Sequence, residues 1–239
     1  MAGRNATPPV EPVVWRPSYR AIPARYVSVP YLEIAASAAD ADRNLDLARL
    51  TDGLASGVAD AYRLLPNEDR LSGPGSGLLM PSFLFPAHPG RFSTGLRGGT
   101  YYAAGDEATA RAETTYHYAA ELEAASAALA AALAAGERPR RQMQVIAADV
   151  YGPFLDVRAT PDPLGVGDVY HPADYAAGQR LEALIRQMPL DGVLYDSVRR
   201  PTPPGACVAV YQPRALRHGR VTRRMTYTWH APGRVDVTS

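Results

Sequence analysis

The sequence predicts an α+β fold, a single compact domain in which mixed sheets of short strands are flanked by helices. Alanine-rich segments with helical spacing and short apolar segments typical of strands both occur, but they do not alternate regularly along the chain. No G-x-G-x-x-G motif follows a predicted strand, which argues against a doubly wound parallel sheet. The 239 residues are 46% hydrophobic and 21% charged, a composition that can bury a proper core.

Prolines punctuate the first half of the chain. Residues 1–17 are proline-rich and predict a flexible arm, and residues 18–32 predict short extended pieces that prolines interrupt. Residues 35–66 form an alanine- and leucine-rich helical segment, in which we expect two helices divided in the region of its glycines. The glycine- and proline-rich stretch that follows predicts a loop with one short strand around Leu84.

The second half of the chain has clearer helix and strand signals. The predicted elements are strands at 100–104, 141–151, 193–195 and 207–211, and helices at 106–135 and 173–188. Asp106 suits the N-cap of the first of these helices, and Gly136 suits its end. The tail, residues 214–239, alternates basic and β-branched residues, and we expect a basic C-terminal extension that adds a strand or two.

Composition excludes several kinds of chemistry. All 25 basic residues are arginine, so there is no Schiff-base lysine and no P-loop lysine, and a phosphate must be held by arginine, backbone amides or helix ends. The single Cys207 cannot form a disulfide framework or a cysteine-based zinc site. His88, His117 and His171 lack metal-ligand spacing, so we expect no metal.

Charge and hydropathy restrict the partners and the location. A net charge of +1 provides no strong field toward nucleic acid or membranes, and we do not expect direct nucleic-acid binding. The arginine-rich tail is a modest basic patch that faces solvent or receives an acidic partner. The N-terminus lacks a signal-peptide core and no apolar run approaches membrane-spanning length, which predicts a cytoplasmic protein.

Three short islands, PGRFSTG, YYAAGDEATARAETTYH and DGVLYDSVR, suit a phosphorylated ligand with a labile sugar bond. Arg91 offers a guanidinium fork for a pyrophosphate, with the Ser93 hydroxyl as a donor beside it. Glu113 lies about two turns into a helix among alanines, where a carboxylate could steady a cationic ribosyl centre. Ser197 leaves a strand without a G-x-S-x-G elbow, and suits a hydrogen bond to the substrate or to Glu113. The plainer alternatives are a surface arginine, a solvated glutamate and a strand-ending serine.

Taken in this order, the islands resemble the motifs of the RES-domain family, toxins of bacterial toxin–antitoxin pairs named for Arg, Glu and Ser. GRFSTG matches the Arg element, TYYAAGDEATARAETTYH the Glu element, and DGVLYDSVR followed by GACVAVYQP the Ser element. The match spans most of the chain, and we take residues 18–213 as the catalytic domain, with the helical segment inside it. The sequence departs from shorter family members in residues 42–66 and in its tail, and Pro89 stands where another glycine is common.

The resemblance implies a fold similar to ADP-ribosyltransferases, NAD⁺ as the substrate, and an Xre-type helix-turn-helix antitoxin as the partner. Breaking the nicotinamide–ribose bond passes through an oxocarbenium-like state, and nicotinamide leaves as a neutral ring. Arg91 would then hold the pyrophosphate, Glu113 would stabilise the cationic centre, and Ser197 would align the ribose or Glu113. Tyr102, on a predicted strand, would pack on nicotinamide, and Arg20 would add a second phosphate contact.

The sequence leaves the acceptor of ADP-ribose open. Water or phosphate as the acceptor would make the protein a NAD⁺ glycohydrolase or phosphorylase, and a protein side chain would make it a mono-ADP-ribosyltransferase. A third interpretation is a non-catalytic nucleotide- or partner-binding module that docks through the arginine-rich tail. Oligomeric state does not follow from these patterns.

Overall fold

The computed structural model of the chain describes residues 9–26, 28–85 and 89–239. Its strands are β1 (Val10–Pro23), β2 (Tyr101–Ala104), β3 (Arg140–Asp156), β4 (Gly192–Pro201), β5 (Pro204–Val210), β6 (Leu216–Ala231) and β7 (Arg234–Thr238). Its helices are α1 (Pro30–Glu33), α2 (Ala38–Ala48), α3 (Gly53–Leu64), α4 (Ser76–Leu79), α5 (Pro81–Leu84), α6 (Glu107–Ala124), α7 (Ser126–Ala134) and α8 (Ala176–Ile185). The predicted α+β class is confirmed, with the described strands in one mixed sheet.

Five of the described strands close into a ring. The sheet runs in the order β1-β2-β5-β4-β3-β6-β7, and β1 also pairs with β3, so that the ring is β1-β2-β5-β4-β3. The paired strands run antiparallel except for β3 and β4, which are parallel. One edge of β3 pairs with β1, and its other edge pairs first with β6 and then with β4. The long strand β3 therefore joins the ring to a wing made of β6 and β7.

The ring strands bury side chains on both of their faces. Tyr101, Leu194 and Val208 pack on one face together with Leu79 of α4. Neighbouring positions of the same strands point the other way and pack against Leu181 of α8, because successive side chains of a strand alternate between faces. The face covered by α8 is the one that carries the pocket described below.

The predicted flexible arm, residues 1–17, is partly a strand. Residues 1–8 lie outside the described residues, whereas β1 begins at Val10 and runs through Pro12 and Pro17. Over this part β1 pairs with β3 alone, on one edge. Proline is tolerated in such an edge segment because a ladder of hydrogen bonds is needed on one side only. The arm prediction is therefore wrong for the residues that form β1.

The tail adds two strands, within the one or two that were predicted, and both belong to the main sheet. β6 pairs with β3 over residues 216–228, and β7 pairs with β6. Met225, Tyr227 and Trp229 are buried in one apolar cluster with Tyr118 of α6. These three alternate residues point to one side of β6, so the predicted extension at 214–239 supplies part of the core beneath α6.

The predicted helices form, with changes at their ends. The segment 35–66 contains α2 and α3 as expected, but the stretch around Leu84 is the helix α5 and not a strand, since Pro81 stands at its first position. The helix predicted at 106–135 is two helices, α6 and α7. Asp106 caps α6 as predicted, and its carboxylate accepts the Thr109 N–H at 2.8 Å. None of the described helices is long and apolar enough to cross a bilayer.

Candidate functional site

A pocket of about 310 Å³ lies between α6, the ring strands and the loop that follows α5. Its walls come from β1, β2, β4 and β5, from the inner face of α6, and from residues 89–91 of the loop. Four predicted site residues line it: Arg20, Arg91, Tyr102 and Glu113. The structure thus brings together residues that lie on four separate segments of the sequence.

Arg20 lies on β1 and is one of the residues that line the pocket. The guanidinium carbon sits 4.6 Å from the centre of the Tyr101 ring, a distance that suits cation–π attraction. Its Nη1 has no accessible surface and no hydrogen-bond partner among the described residues. Burial lowers the pKa of Arg20, but an arginine remains charged at neutral pH. A buried cation with an unpaired donor is costly.

Arg91 follows Gly90 in a tight turn and is 8% exposed. Its Nη1 donates to the carbonyl oxygens of Val169 at 2.7 Å and His171 at 2.8 Å. The guanidinium also lies over the Tyr175 ring, 4.8 Å from its centre. These contacts involve Nη1 and one face of the guanidinium group. Nε and Nη2 make no hydrogen bond to any of the described residues.

Glu113 projects from α6, and Ser197 of β4 fixes its carboxylate. Ser197 Oγ donates to Glu113 Oε1 at 2.5 Å and accepts the N–H groups of Arg199 and Arg200, each at 3.1 Å. Ser197 is 2% exposed and does not line the pocket. Of the two contacts expected for Ser197, the structure contains the one to Glu113. The serine therefore orients the carboxylate while Oε2 stays available.

Tyr102 and Tyr101 point to opposite faces of β2, and Tyr102 is the one in the pocket. The Tyr102 hydroxyl accepts the Phe92 N–H at 3.0 Å. Burial raises the pKa of Tyr102, so the phenol stays neutral at physiological pH. The ring thus presents its surface to the pocket while its hydroxyl holds the loop that carries Arg91.

Ser93 does not contact the pocket, and this corrects its predicted role. The residue is fully buried, and its Oγ accepts the Gly95 N–H at 3.1 Å. A hydroxyl that closes a turn two residues ahead is a common loop motif. Ser93 shapes the Arg91 loop from within, so it is not placed to donate to a phosphate.

Sequence reasoning assigned no pocket role to His117 or Arg199, both of which line the pocket. His117 lies four residues after Glu113, on the same helix face, and this spacing was the available signal. Arg199 lies two residues after Ser197 on β4. Its guanidinium carbon is 3.4 Å from the centre of the Tyr116 ring, and its Nη2 donates to the Pro172 carbonyl at 2.7 Å.

The charges of the pocket favour an anionic ligand. Arg20, Arg91 and Arg199 face one carboxylate, Glu113. Planar guanidinium groups match the oxygen geometry of phosphates. No group of three or more His, Cys, Asp or Glu side chains that could hold a metal occurs among the described residues. The arginines of the pocket can bind an anion, and Glu113 can stabilise a positive centre beside it.

Residues 60–230 match the RES domain family. No curated protein matches the chain. A solved structure that matches is the crystal structure of the M. tuberculosis MbcT-MbcA toxin-antitoxin complex, at 14% sequence identity and a TM-score of 0.45, over 90% of this chain and 85% of that one. That similarity is too low to infer a property of this chain from the solved structure. Because the family match covers well over half of its residues, the chain belongs to the RES domain family.

Proposed function

We propose that this protein is a bacterial toxin that cleaves the bond between nicotinamide and ribose in NAD⁺. The observation that carries the proposal is the Glu113 carboxylate, held by Ser197 in a pocket that Arg20 and Arg91 also line. Membership in the RES family and the three motifs of the sequence support the same substrate.

Two arginines suit the pyrophosphate of NAD⁺. Arg91 is oriented by two carbonyl oxygens and keeps Nε and Nη2 for phosphate oxygens. Arg20 approaches the pocket from β1 with Nη1 unpaired among the described residues. Charge-assisted hydrogen bonds from both would fix the dinucleotide and so hold its ribose against α6.

Glu113 would stabilise the positive charge that develops on the ribose. As the glycosidic bond breaks, its electron pair leaves with nicotinamide as a neutral molecule, and the anomeric carbon becomes oxocarbenium-like. A fixed carboxylate in a dry pocket stabilises that charge without having to reorganise. Ser197 keeps Glu113 in place, and the Tyr102 ring would pack on the leaving nicotinamide.

The acceptor completes the reaction. Attack by water forms ADP-ribose and releases one proton, and attack by inorganic phosphate forms ADP-ribose 1″-phosphate. A protein side chain in the same role would make the enzyme a mono-ADP-ribosyltransferase. The common step is loss of nicotinamide, so an assay for nicotinamide detects all three.

A protein that consumes NAD⁺ inside the cell that makes it needs a neutralising partner. We propose an Xre-type helix-turn-helix antitoxin that blocks the pocket, and a cytoplasmic site of action for the toxin. Growth arrest on expression of this chain, relieved by co-expression of an adjacent helix-turn-helix gene, would support this part of the proposal. Arrest that persists with the partner bound would contradict it.

The test of the chemistry is nicotinamide release from NAD⁺ by purified protein, with and without phosphate. Glu113→Gln keeps the shape of the side chain and an acceptor for Ser197 but removes the charge. We expect the turnover rate to fall about 10²–10³-fold, as for other deleted transition-state contacts. Phosphate dependence of the wild-type rate would identify phosphate as the acceptor.

The matched control is Glu137→Gln, since Glu137 is exposed and distant from the pocket. Its rate should equal that of the wild type. A folded Glu113→Gln protein with full turnover would overturn the assigned role of Glu113. No nicotinamide release by the wild type, with or without a cell extract as a source of acceptor proteins, would overturn the proposed function.

A further inference from the structure

Glu182 is a buried carboxylate that lies outside the pocket and contacts the loop of Arg91. It projects from α8 and has no exposed surface. Oε2 accepts the Thr94 N–H at 2.8 Å and the Thr94 hydroxyl at 3.2 Å, and Oε1 accepts Nε of Arg186 at 2.9 Å. A fully buried carboxylate is costly unless it is paired and hydrogen-bonded, and here the loop supplies two of its three partners.

Two further residues on the same face of α8 contact the same loop. Gln179 Nε2 donates to the Gly90 carbonyl at 3.1 Å. Gly178 lies so close that a Cβ there would stand 2.2 Å from the Arg91 carbonyl oxygen. Glu182 follows Gln179 by three residues and Gly178 by four, so both lie beside it on the surface of the helix. The helix thus holds the loop backbone at points before, at and after Arg91.

The opposite side of the loop is held by two tyrosines. The Tyr102 hydroxyl accepts the Phe92 N–H at 3.0 Å, and the Tyr211 hydroxyl donates to the Phe92 carbonyl at 3.0 Å. Arg186 connects the two sides, since it pairs with Glu182 and lies over the Tyr211 ring, 4.3 Å from its centre. Since the backbone is held on both sides of residue 91, the direction of the arginine side chain is restricted.

We infer that Glu182 is a positioning residue that acts through Thr94 to hold Arg91 in the geometry that binds the pyrophosphate, an inference that rests on the proposed function. A loop ordered before binding loses less conformational entropy when the ligand arrives, so the benefit falls on affinity. Glu182 itself touches neither the ligand nor the reacting atoms. Its loss should therefore raise KM for NAD⁺ and leave kcat nearly unchanged.

The test is Glu182→Gln in the full chain, alone and combined with Arg91→Ala. We expect KM to rise about 10-fold in the single variant, the effect of ordering one or two side chains on binding, with kcat within about twofold. In the Arg91→Ala background the same change should leave KM unaltered, since the group through which it acts is gone. The shift in melting temperature should be equal in both backgrounds.

Glu33→Gln is the matched control for general destabilisation. Glu33 is also a partly buried carboxylate that holds a glycine-rich loop, because its Oε2 accepts the Gly75 N–H at 2.7 Å, but it does not line the pocket. It should lower the melting temperature without raising KM. If Glu182→Gln fails to fold, Thr94→Val is the second variant: it keeps the backbone N–H bond to Glu182, removes the hydroxyl contacts to Glu182 and to the Leu96 N–H, and should raise KM about threefold.

Affinity for inorganic pyrophosphate, measured by calorimetry, separates this inference from the proposed function. If the wild type does not turn over NAD⁺ but Glu182→Gln lowers its pyrophosphate affinity, and does so only when Arg91 is present, the inference is supported and the proposed function is overturned. Unchanged KM and unchanged pyrophosphate affinity in the folded variant would overturn the inference alone. An equal rise of KM in the Arg91→Ala background, or in Glu33→Gln, would also overturn it.

Discussion

His117 stands one helical turn beyond Glu113 at the pocket. Burial is the main influence on the pKa of its imidazole and lowers that pKa below 6.5; Glu113 opposes the shift, and Arg199 and Arg91 add to it. The ring is therefore neutral at physiological pH. A neutral imidazole beside three arginines leaves the positive charge of the pocket unchanged, whereas its protonation would add to the repulsion.

We expect His117 to make the folded state less stable in acid. In the unfolded chain His117 is protonated near the ordinary pKa of histidine, and in the folded chain it is protonated at a lower pH. Between these two pH values the unfolded state binds more protons than the folded state. Stability is therefore lost as the pH falls from about 6.5 through the folded pKa. The free energy of unfolding of His117→Gln, measured in denaturant between about pH 7 and pH 5, should fall less than that of the wild type. Parallel losses in the two proteins would contradict this.

Single residues could be chosen from the sequence, and the contact between Ser197 and Glu113 was among those expected, but the partners of Arg91 could not be predicted. Arg91, Glu113 and Ser197 each stand in a short motif that identifies them. The carbonyl groups that orient Arg91 belong to Val169 and His171, on a segment that carries no matching signal. A backbone carbonyl belongs to every residue, so its use depends on the fold and cannot be read from residue type.

The close approach of α8 to the Arg91 loop has a consequence for Gly178. A methyl group at this position would overlap the Arg91 carbonyl, which is a backbone atom that cannot rotate away. We expect Gly178→Ala to lower the free energy of unfolding by about 1–3 kcal/mol through overpacking, and to raise KM for NAD⁺ because the loop must shift. Denaturant unfolding and steady-state kinetics measure the two effects.

Gly57→Ala is the control for the helical glycine itself. Gly57 lies inside α3, is exposed, and has no heavy atom within 4 Å of the added Cβ. Alanine should therefore stabilise α3 by about 0.4–1 kcal/mol without any change in KM. If Gly178→Ala behaved like Gly57→Ala, the close packing of α8 on the loop would be contradicted.

Elements with regular spacing could be predicted, and those that depend on the fold could not. The cap of α6 at Asp106 and the apolar core of β3 follow from local patterns. β1 could not be predicted as one continuous strand because its prolines interrupt the local strand pattern. Its stability comes from pairing with β3. α5 could not be predicted because its four residues are too few to show a helical period in the sequence.

Two buried carboxylates and the exposed Arg214 form an ion cluster that joins the N-terminal helices to the sheet. Asp69 follows α3 and is 1% exposed, and Arg214 reaches it at 3.2 Å from the turn before β6. The same guanidinium lies 3.0 Å from Asp191, at the start of β4. Burial raises the pKa of Asp191, and Arg214 limits the rise. Three distant parts of the chain therefore meet at one arginine.

Removal of that arginine should weaken the whole molecule. Arg214→Met keeps much of the apolar stem but leaves the buried Asp69 without its charged partner. We expect the free energy of unfolding to fall by about 1–3 kcal/mol, the cost of an unsatisfied buried group. The exposed Arg224→Met on β6 should change it by less than about 0.5 kcal/mol. Recovery of stability in the Asp69→Asn/Arg214→Met double variant would confirm the cause, and equal losses for Arg214→Met and Arg224→Met would contradict it.

The order of strands was beyond prediction from this sequence. The strands of the second half could be recognised one by one, but a period of two does not say which strand lies beside which. β1 and β3 pair although they are separated by most of the first half of the chain, and β6 lies beside β3 instead of β5. The pocket could be inferred from motifs, whereas its walls depend on this order.

The closed ring also determines the stage of protein synthesis at which the site can form. Ser18 of β1 hydrogen-bonds to Ala148 of β3, 130 residues later in the chain. The ring can close only after the ribosome has released β5, the last of its five strands in the sequence, and Ser197 lies on β4 just before it. Until then the strands that surround Arg20 are not assembled, and Glu113 lacks its hydrogen bond from Ser197. A chain that ends before β5 therefore lacks the assembled site, and the same long-range pairing that builds the pocket delays it until β5 has been made.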